Sequence, residues 1–285
     1  MKEIAYISGD FVELDKASIS LEDRGFQFGD GVYEVIKLYD GILFKGEEHF
    51  KRLINSAELI RINLDYSVED LKEIAFEVIK RSDKNKSGSL YIQVTRGVAP
   101  RDHNFSYTLE PTLVMYLLPP KSLPNEIREK GVSVVTLVDN RWGCCNIKTI
   151  NLLPNILASQ EASEKGAFEG IFISDNDIVL EGTGSNIFIV KDGVIITHPV
   201  TNKILSGITR EIVFELARER FSAVEDPFSL EDLYNADEVF ITSTTKEVLG
   251  VVEVDGKKIG DGVVGDVTKE LNVLYREYKS NPDNF

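Results

Sequence analysis

Cysteine is nearly absent from this chain: its 285 residues include two, Cys144 and Cys145, side by side. With no second pair they supply neither a disulfide framework nor a cysteine metal site, so both are expected to be reduced packing residues. Histidine is almost as scarce. His49, His103 and His198 lie far apart, without ligand spacing, which argues against a histidine-rich metal centre. No apolar run approaches the roughly 18 residues of a membrane span. The opening MKEIAYISGD has no apolar stretch of the signal-peptide kind, so a cytoplasmic protein is expected. Positive charge is also in deficit, 32 Lys and Arg against 47 Asp and Glu, for a net charge of −15. That balance argues against nucleic acid, whose binding needs a basic surface. Any anionic ligand must be held by local positive groups.

What is present describes a globular protein of one large or two ordinary domains, with 42% hydrophobic residues and no low-complexity tract. Ile4–Ser8 and Phe11–Glu13 around Gly9-Asp10, then Val32–Tyr39 and Ile42–Phe44 around Asp40-Gly41, read as hairpins. Phe50, Leu53, Ile54 and Ala57 mark one helix. Leu71, Ile74, Ala75, Val78 and Ile79 mark another, opened by Ser67 with Asp70 three residues on. Strands follow at 90–95 and 112–118, then a Pro-rich stretch at 119–124 that reads as a linker. Beyond it the pattern gives strands at 133–138, 170–174, 178–180, 187–190, 194–197 and 238–242. Helices are expected near 152–164, at 208–220 and at 264–278. Strands cluster without a regular βαβ alternation, so an α+β fold is expected. It comprises an N-terminal α/β domain (1–118), a linker (119–124) and a C-terminal α+β domain (125–285).

The most informative residue is Lys148. It is the only charge between Arg141 and Glu161, where the chain's 28% charged content would put about five. Spacing alone leaves open a lysine snorkelling from a helix edge. The alternative is a buried amine: burial disfavours the ammonium, and a neutral amine is what a Schiff-base lysine must supply. Glu181-Gly-Thr-Gly-Ser-Asn186 sits between strand-like runs and lacks the spacing and following helix of a dinucleotide fingerprint. Gly207-Ile-Thr-Arg210 opens a helix, a place for an anion as well as for an ordinary cap. Ser243-Thr244-Thr245 ends a strand with hydroxyls. Asp23–Glu34 is glycine-dense and aromatic, and Arg101-Asp-His103 suits carboxylate capture or a solvated loop.

Seven segments in order, EDRGFQFGDGVYE, EHFKRL, VTRGVAPRDH, CNIKTINLL, EGTGSNIF, GITR and TSTT, resemble the fold-type IV pyridoxal-phosphate enzymes, and within them the D-amino-acid aminotransferases. The resemblance covers nearly the whole chain. It implies pyridoxal 5'-phosphate as cofactor, with Lys148 as the Schiff-base residue and proton shuttle. Glu181 would pair with the pyridine nitrogen. Arg52, the backbone N–H groups of Ile208 and Thr209, and the Thr244 hydroxyl would hold the phosphate. Tyr33, Arg101 and His103 would trap the substrate carboxylate, the last two reaching in from the partner subunit of a homodimer. Asp102 places a carboxylate inside that trap and must point away for it to work.

The implied reaction moves an amino group from a D-amino acid, D-alanine by default, to a 2-oxo acid such as 2-oxoglutarate. Branched-chain L-aminotransferases hold the carboxylate at a Gly-Thr-Ala turn, where this chain has Ser243-Thr244-Thr245. That alternative remains, as do an aminodeoxychorismate lyase on the same scaffold and a non-enzymatic acidic interaction domain.

Overall fold

The computed structural model describes residues 3–83, 87–121, 123–281 and 284. Ser122, within the expected linker, lies outside them. The chain divides into two compact units. The first comprises residues up to 121 and the segment Ile147–Asn151; the second comprises the residues that follow, up to 146, and Leu152–Asn281.

In the first unit β1 (Ile4–Ile7) and β2 (Asp10–Glu13) are followed by a 3-10 turn at Leu14–Lys16 and by α1 (Arg24–Phe28). Then come β3 (Gly31–Tyr39), β4 (Ile42–Leu43), α2 (Gly46–Leu59), α3 (Val68–Arg81), β5 (Ser87–Thr95) and β6 (Thr112–Leu118). The strands form an antiparallel sheet in the order β2-β1-β6-β5-β3-β4. Side chains alternate across a strand, and on β3 Val32, Glu34, Ile36 and Leu38 are all buried. Phe50, Leu53 and Ala57 of α2 and Leu71, Ala75 and Val78 of α3 complete that core. The Ser67–Asp70 capping box opens α3 as its sequence implies.

The second unit contains α4 (Asn125–Lys130), β7 (Val132–Val138), α5 (Leu153–Glu164), β8 (Glu169–Ile173), β9 (Val179–Gly182), β10 (Asn186–Lys191) and β11 (Val194–Thr197). It continues with α6 (Ile208–Arg220), β12 (Ser222–Glu225), α7 (Leu230–Tyr234), β13 (Glu238–Ser243), β14 (Glu247–Val254), β15 (Lys257–Lys258) and α8 (Asp266–Ser280). Its sheet runs β12-β11-β10-β13-β14-β7-β8-β9, with β15 on β14. Parallel pairs (β11–β12, β14–β7, β7–β8) sit among antiparallel ones, as an α+β unit allows. The sequence pattern does not single out β14, although β14 is central to the sheet. Gly250 interrupts its apolar run, and a Cβ there would come within 2.8 Å of Val264 Cγ1, so the glycine lets the segment before α8 pack close. Among the described residues no helix is long and apolar enough to cross a membrane.

The lysine segment 147–151 is expected from the sequence in the C-terminal domain, yet it groups with the first unit. Its backbone continues the sheet edge at the start of β3: Tyr33 N–H donates to Lys148 O (3.0 Å) and Ile150 N–H to Gly31 O (3.0 Å).

Gly97 turns the chain out of β5 at φ +97°, where a Cβ would lie 1.9 Å from the Glu110 carbonyl oxygen. Gly97→Ala is therefore expected to destabilise by at least about 1–2 kcal/mol from the positive φ alone, with the clash added. Gly143→Ala, where a Cβ would meet no atom within 4 Å, should be neutral. Chemical denaturation of the two variants checks this, and equal losses would refute it.

Candidate active site

In the first unit the β3 pleat sends Glu34 into the core and Tyr33 to the opposite face. Helix α2 presents His49, Arg52 and Ser56 along one side. Arg52 Nε and Nη2 donate to the two oxygens of Glu34 (2.6 and 2.9 Å), and His49 Nδ1 lies 2.7 Å from Glu34 Oε2. Burial pushes the Glu34 pKa upward, but the Arg52 charge and the His49 contact overcome it, and the carboxyl is held well below its usual range. Burial is also the main cause that lowers the His49 pKa, against the pull of Glu34.

Lys148 is half-buried, and its Nζ lies 4.3 Å from the Tyr33 ring centroid. Its backbone N–H donates to Ser56 Oγ at 3.4 Å. Tyr33 in turn stacks on Tyr91, whose phenol burial pushes up to about 12 and whose hydroxyl donates to Gln93. The structure thus brings Lys148 and Tyr33 together.

Arg101 and His103 stand elsewhere in this unit, on the exposed loop between β5 and β6. Their ring contact is Phe28 of α1, 4.8 Å from the Arg101 guanidinium and 5.7 Å from the His103 ring. The Asp102 carboxylate accepts from Asn104 N–H (3.0 Å) within its own loop and is exposed, as are Arg101 and His103. The Asp23–Glu34 segment proves to be a short capped helix followed by the start of β3: the Asp23 carboxylate accepts from Gly25 N–H, Gly29 closes α1 in the left-handed conformation, and the strand begins at Gly31.

In the second unit Glu181 lies buried on β9. Its Oε1 accepts from Arg141 Nη1 (2.5 Å); its Oε2 accepts from Asn186 Nδ2 (3.2 Å) and Leu205 N–H (3.0 Å). Arg141 also bonds both oxygens of Asp139 and rests 4.2 Å over the Phe172 ring. Desolvation opposes its charge, but Asp139 and Glu181 raise its pKa further, so the guanidinium is permanent. Its positive charge thus stands directly against the Glu181 carboxylate.

Asn186 Nδ2 also donates to Leu205 O (2.9 Å), and a Cβ on Gly207 would fall 2.1 Å from Asn186 Oδ1. One amide therefore ties β10 to the approach of α6. That helix starts at Ile208 without a side-chain cap, so the N–H groups of Ile208 and Thr209 point out of its positive end. Thr244 lies in the turn after β13. Ser185 Oγ and Thr242 Oγ1 are buried hydroxyls without a partner among the described residues.

Sequence reasoning missed Glu34, His49, Arg141 and Asn186. Arg141 bounds the charge-poor window, and Glu34 and Asn186 end two of the quoted motifs, so each was in view without a signal of what it bonds. Cys145 packs as expected, its thiol raised to about 11 chiefly by burial, whereas Cys144 is exposed. Among the described residues no group of three or more His, Cys, Asp or Glu could hold a metal ion.

Comparison with known proteins gives a consistent picture. The profile of the amino-transferase class IV family matches residues 31–254. A D-alanine aminotransferase of Bacillus licheniformis is 46% identical over 265 residues, 93% of each chain. One of Staphylococcus haemolyticus is 43% identical over 274 residues, 96% of each. Among solved structures, an Escherichia coli branched-chain amino acid aminotransferase superposes with TM-score 0.90 at 29% identity, covering 97% of this chain and 94% of that one. A branched-chain amino acid aminotransferase of T.th., with pyridoxamine 5'-phosphate, also gives 0.90, at 28% identity, covering 100% and 97%.

The buried groups fix an expected pH response. The folded-state pKa of Glu34 is depressed, so its contribution is present above the ordinary glutamate value of about 4.3 and lost as pH falls below it. The His49 pKa is depressed too, so proton uptake by the unfolded chain erodes stability from about pH 6.5 downward. Urea midpoints should fall on going from pH 7 to 5 and more steeply below about 4.3. His49→Gln should flatten the upper limb; a midpoint independent of pH from 7 to 4 would refute the assignment.

Proposed function

The chain belongs to the class IV aminotransferases, and we propose that it uses pyridoxal 5'-phosphate to transfer the amino group of a D-amino acid, D-alanine by default, to a 2-oxo acid such as 2-oxoglutarate. The identity of 41–46% to D-alanine aminotransferases over nearly the full chain carries this reading. The residues present suit the cofactor chemically. A guanidinium and an uncapped helix start match a phosphate. An arginine-paired carboxylate matches a protonated pyridine nitrogen, an amine matches an aldehyde, and two unpartnered buried hydroxyls remain as donors.

Bound pyridoxal phosphate takes up the amino group at its aldehyde carbon and draws the electrons of the broken Cα–H bond into its ring. The rest falls to the protein. Lys148 holds the cofactor and then carries the proton from the substrate α-carbon. Glu181, held in place by Arg141, holds the proton on the ring nitrogen. Arg52, fixed by Glu34, binds phosphate, with Ile208, Thr209 and Thr244 completing its shell. Tyr33, Arg101 and His103 orient the α-carboxylate, and its side decides which enantiomer points its α-hydrogen at Lys148.

We expect a cytoplasmic homodimer with composite sites. Three observations support a partner. Leu21 (76% exposed) and Phe26 (73%) stand out near the start of the first unit. In the second, Leu153, Ile156 and Leu157 make an exposed apolar stripe on α5. The Arg101–His103 loop is exposed in the single chain, as a group offered to a neighbour would be.

The likeness to branched-chain aminotransferase structures favours a second reading, with L-amino acids as donors. Half-reactions with D- and L-alanine and D- and L-leucine separate the two. On the first reading D-alanine is preferred. Arg101→Ala then lowers its kcat/KM by about thirty-fold to a few thousand-fold, the usual cost of ~2–5 kcal/mol for truncating a buried charge pair. L-amino acids should lose far less. A wild-type preference for L-leucine would overturn the D-specific reading.

Lys148→Ala should retain the fold yet lose several orders of magnitude in turnover, since proton transfer alone gives ~10²–10⁴-fold. Borohydride should label Lys148 in the wild type and nothing in the variant. Mixing the inactive Lys148→Ala and Arg101→Ala chains should restore some activity if each site draws on two subunits. Confirmed heterodimers without activity would mean that each site is built within one chain.

A further inference from the structure

We propose that Arg24 and Phe28 are positioning residues for substrate recognition, fixing the 101–103 loop so that Arg101 and His103 address one carboxylate. The inference rests on the reading of those two residues as the carboxylate trap.

Arg24 is 4% exposed, although it sits on a five-residue surface helix. Its Nε donates to Asp30 Oδ2 (2.9 Å), which answers its charge. Its remaining nitrogens turn to the loop: Nη1 donates to the Asp102 carbonyl (2.5 Å) and Nη2 to the His103 carbonyl (3.4 Å). One buried fork therefore holds two successive peptide groups of the segment that carries Arg101 and His103. Lysine could satisfy Asp30 but not all three acceptors in a plane.

Phe28 supplies the second constraint. The Arg24 and Arg101 guanidinium groups both lie 4.8 Å from its ring centroid, and the His103 ring meets it edge to face at 63°. A cation held against an aromatic ring keeps its charge, so Arg101 is oriented by the Phe28 ring, with no ion-pair partner among the described residues to compete with substrate. Two guanidiniums on one ring repel, and Asp30 offsets that repulsion. Arg96 completes the frame: it bonds both Asp30 oxygens (2.8 and 2.9 Å) and the carbonyls of Ile60 and Arg61, and lies 3.6 Å from the Phe105 ring centroid. The loop residues 101–104 are exposed, yet the loop is gripped from beneath by buried groups. An anchor of that kind serves the direction of the side chains at the tip.

The test uses holoenzyme of wild type, Arg24→Lys, Arg24→Ala, Phe28→Leu, Arg101→Ala and the Arg24→Lys/Arg101→Ala double variant. Half-reactions with D- and L-alanine are measured beside cofactor absorbance and thermal unfolding. Arg24→Lys should raise the D-alanine KM about ten-fold or more, as loss of a charge-assisted bond does, and Phe28→Leu about two- to five-fold, as loss of an exposed cation–π contact does. Their kcat and cofactor content should change much less. In the Arg101→Ala background, Arg24→Lys should add little further loss, because Arg24 acts through the loop. Multiplicative losses in the double variant, or unchanged KM in both Arg24→Lys and Phe28→Leu, would overturn the proposal while leaving the trap standing. Equal falls for both enantiomers with loss of bound cofactor would likewise overturn it, marking a general fold defect. An Arg101→Ala enzyme that treats D-alanine as the wild type does would remove the trap reading itself, and the inference with it.

Discussion

The backbone pairing of residues 148–150 with the first residues of β3 is the constraint on which the first unit's chemistry depends. Tyr33 N–H to Lys148 O and Ile150 N–H to Gly31 O make the lysine segment an extra piece of sheet. The Thr149 hydroxyl adds a third bond to Gly31 O at 3.0 Å. A reactive lysine on a free loop would sample many positions. Here only the side chain is left to move, because the peptide groups on either side are held by a sheet that is itself packed against α2 and α3. The Tyr33 ring then lies 4.3 Å from an amine 115 positions along the chain, brought there by these three hydrogen bonds.

Around that frame the protein buries charge in matched sets. Glu34 with Arg52 and His49, Asp30 with Arg24 and Arg96, and Glu181 with Arg141 each place a carboxylate among cationic or N–H donors. Buried ion pairs contribute little net stability, since desolvating both partners offsets their attraction. Their value lies in geometry. A bidentate arginine has one orientation: Glu34 aims Arg52, Asp139 fixes the Arg141 that grips Glu181, and the three bonds of Arg24 hold a loop. Each aimed group corresponds to one feature of the proposed ligands: phosphate, ring nitrogen and α-carboxylate. The same pattern answers the problem posed by the net charge of −15. An acidic protein repels anionic substrates at long range, but salt screens that field beyond about 8 Å. The local cations act within the screening length.

What was legible in the sequence is what local rules encode. The Ser67–Asp70 capping box, the span of α6 from Ile208 to Arg220 and the β1–β2 hairpin follow from spacings of two to four residues. The α+β class follows from how such elements cluster. The charge-poor window singled out Lys148, and the ordered motifs singled out Glu181, Arg52 and the proposed carboxylate trap as candidates. The residues that aim these groups were not legible. Arg52 and Glu34 are 18 positions apart, Arg141 and Glu181 are 40 apart, and Arg24 reaches Asp102 across 78. No period links them, and a charged residue in a polar stretch reads as solvated surface until the fold closes around it. Strand β14 escaped for a related reason. A glycine in mid-strand weakens the local signal, and only the packing of Val264 against Gly250 explains its presence.

The two classes of relative differ in a way that this geometry makes concrete. The overall superposition is as good with branched-chain enzymes as a TM-score of 0.90 implies, while the sequence identity is higher to D-alanine aminotransferases. A shared scaffold fixes where strands and helices go, and it is silent about which side of the site offers a cation to the substrate carboxylate. That choice needs few residues. On the 243–245 turn this chain has hydroxyl side chains and no cation. The 101–103 loop instead carries a guanidinium and an imidazole, anchored from below by a buried arginine and an aromatic ring. A carboxylate binds more strongly where a charge-assisted, bidentate partner is already oriented. On the proposed reading of that loop, the enantiomer that places its carboxylate toward it gains the advantage, and a few side chains, set on a scaffold common to both classes of relative, make the choice.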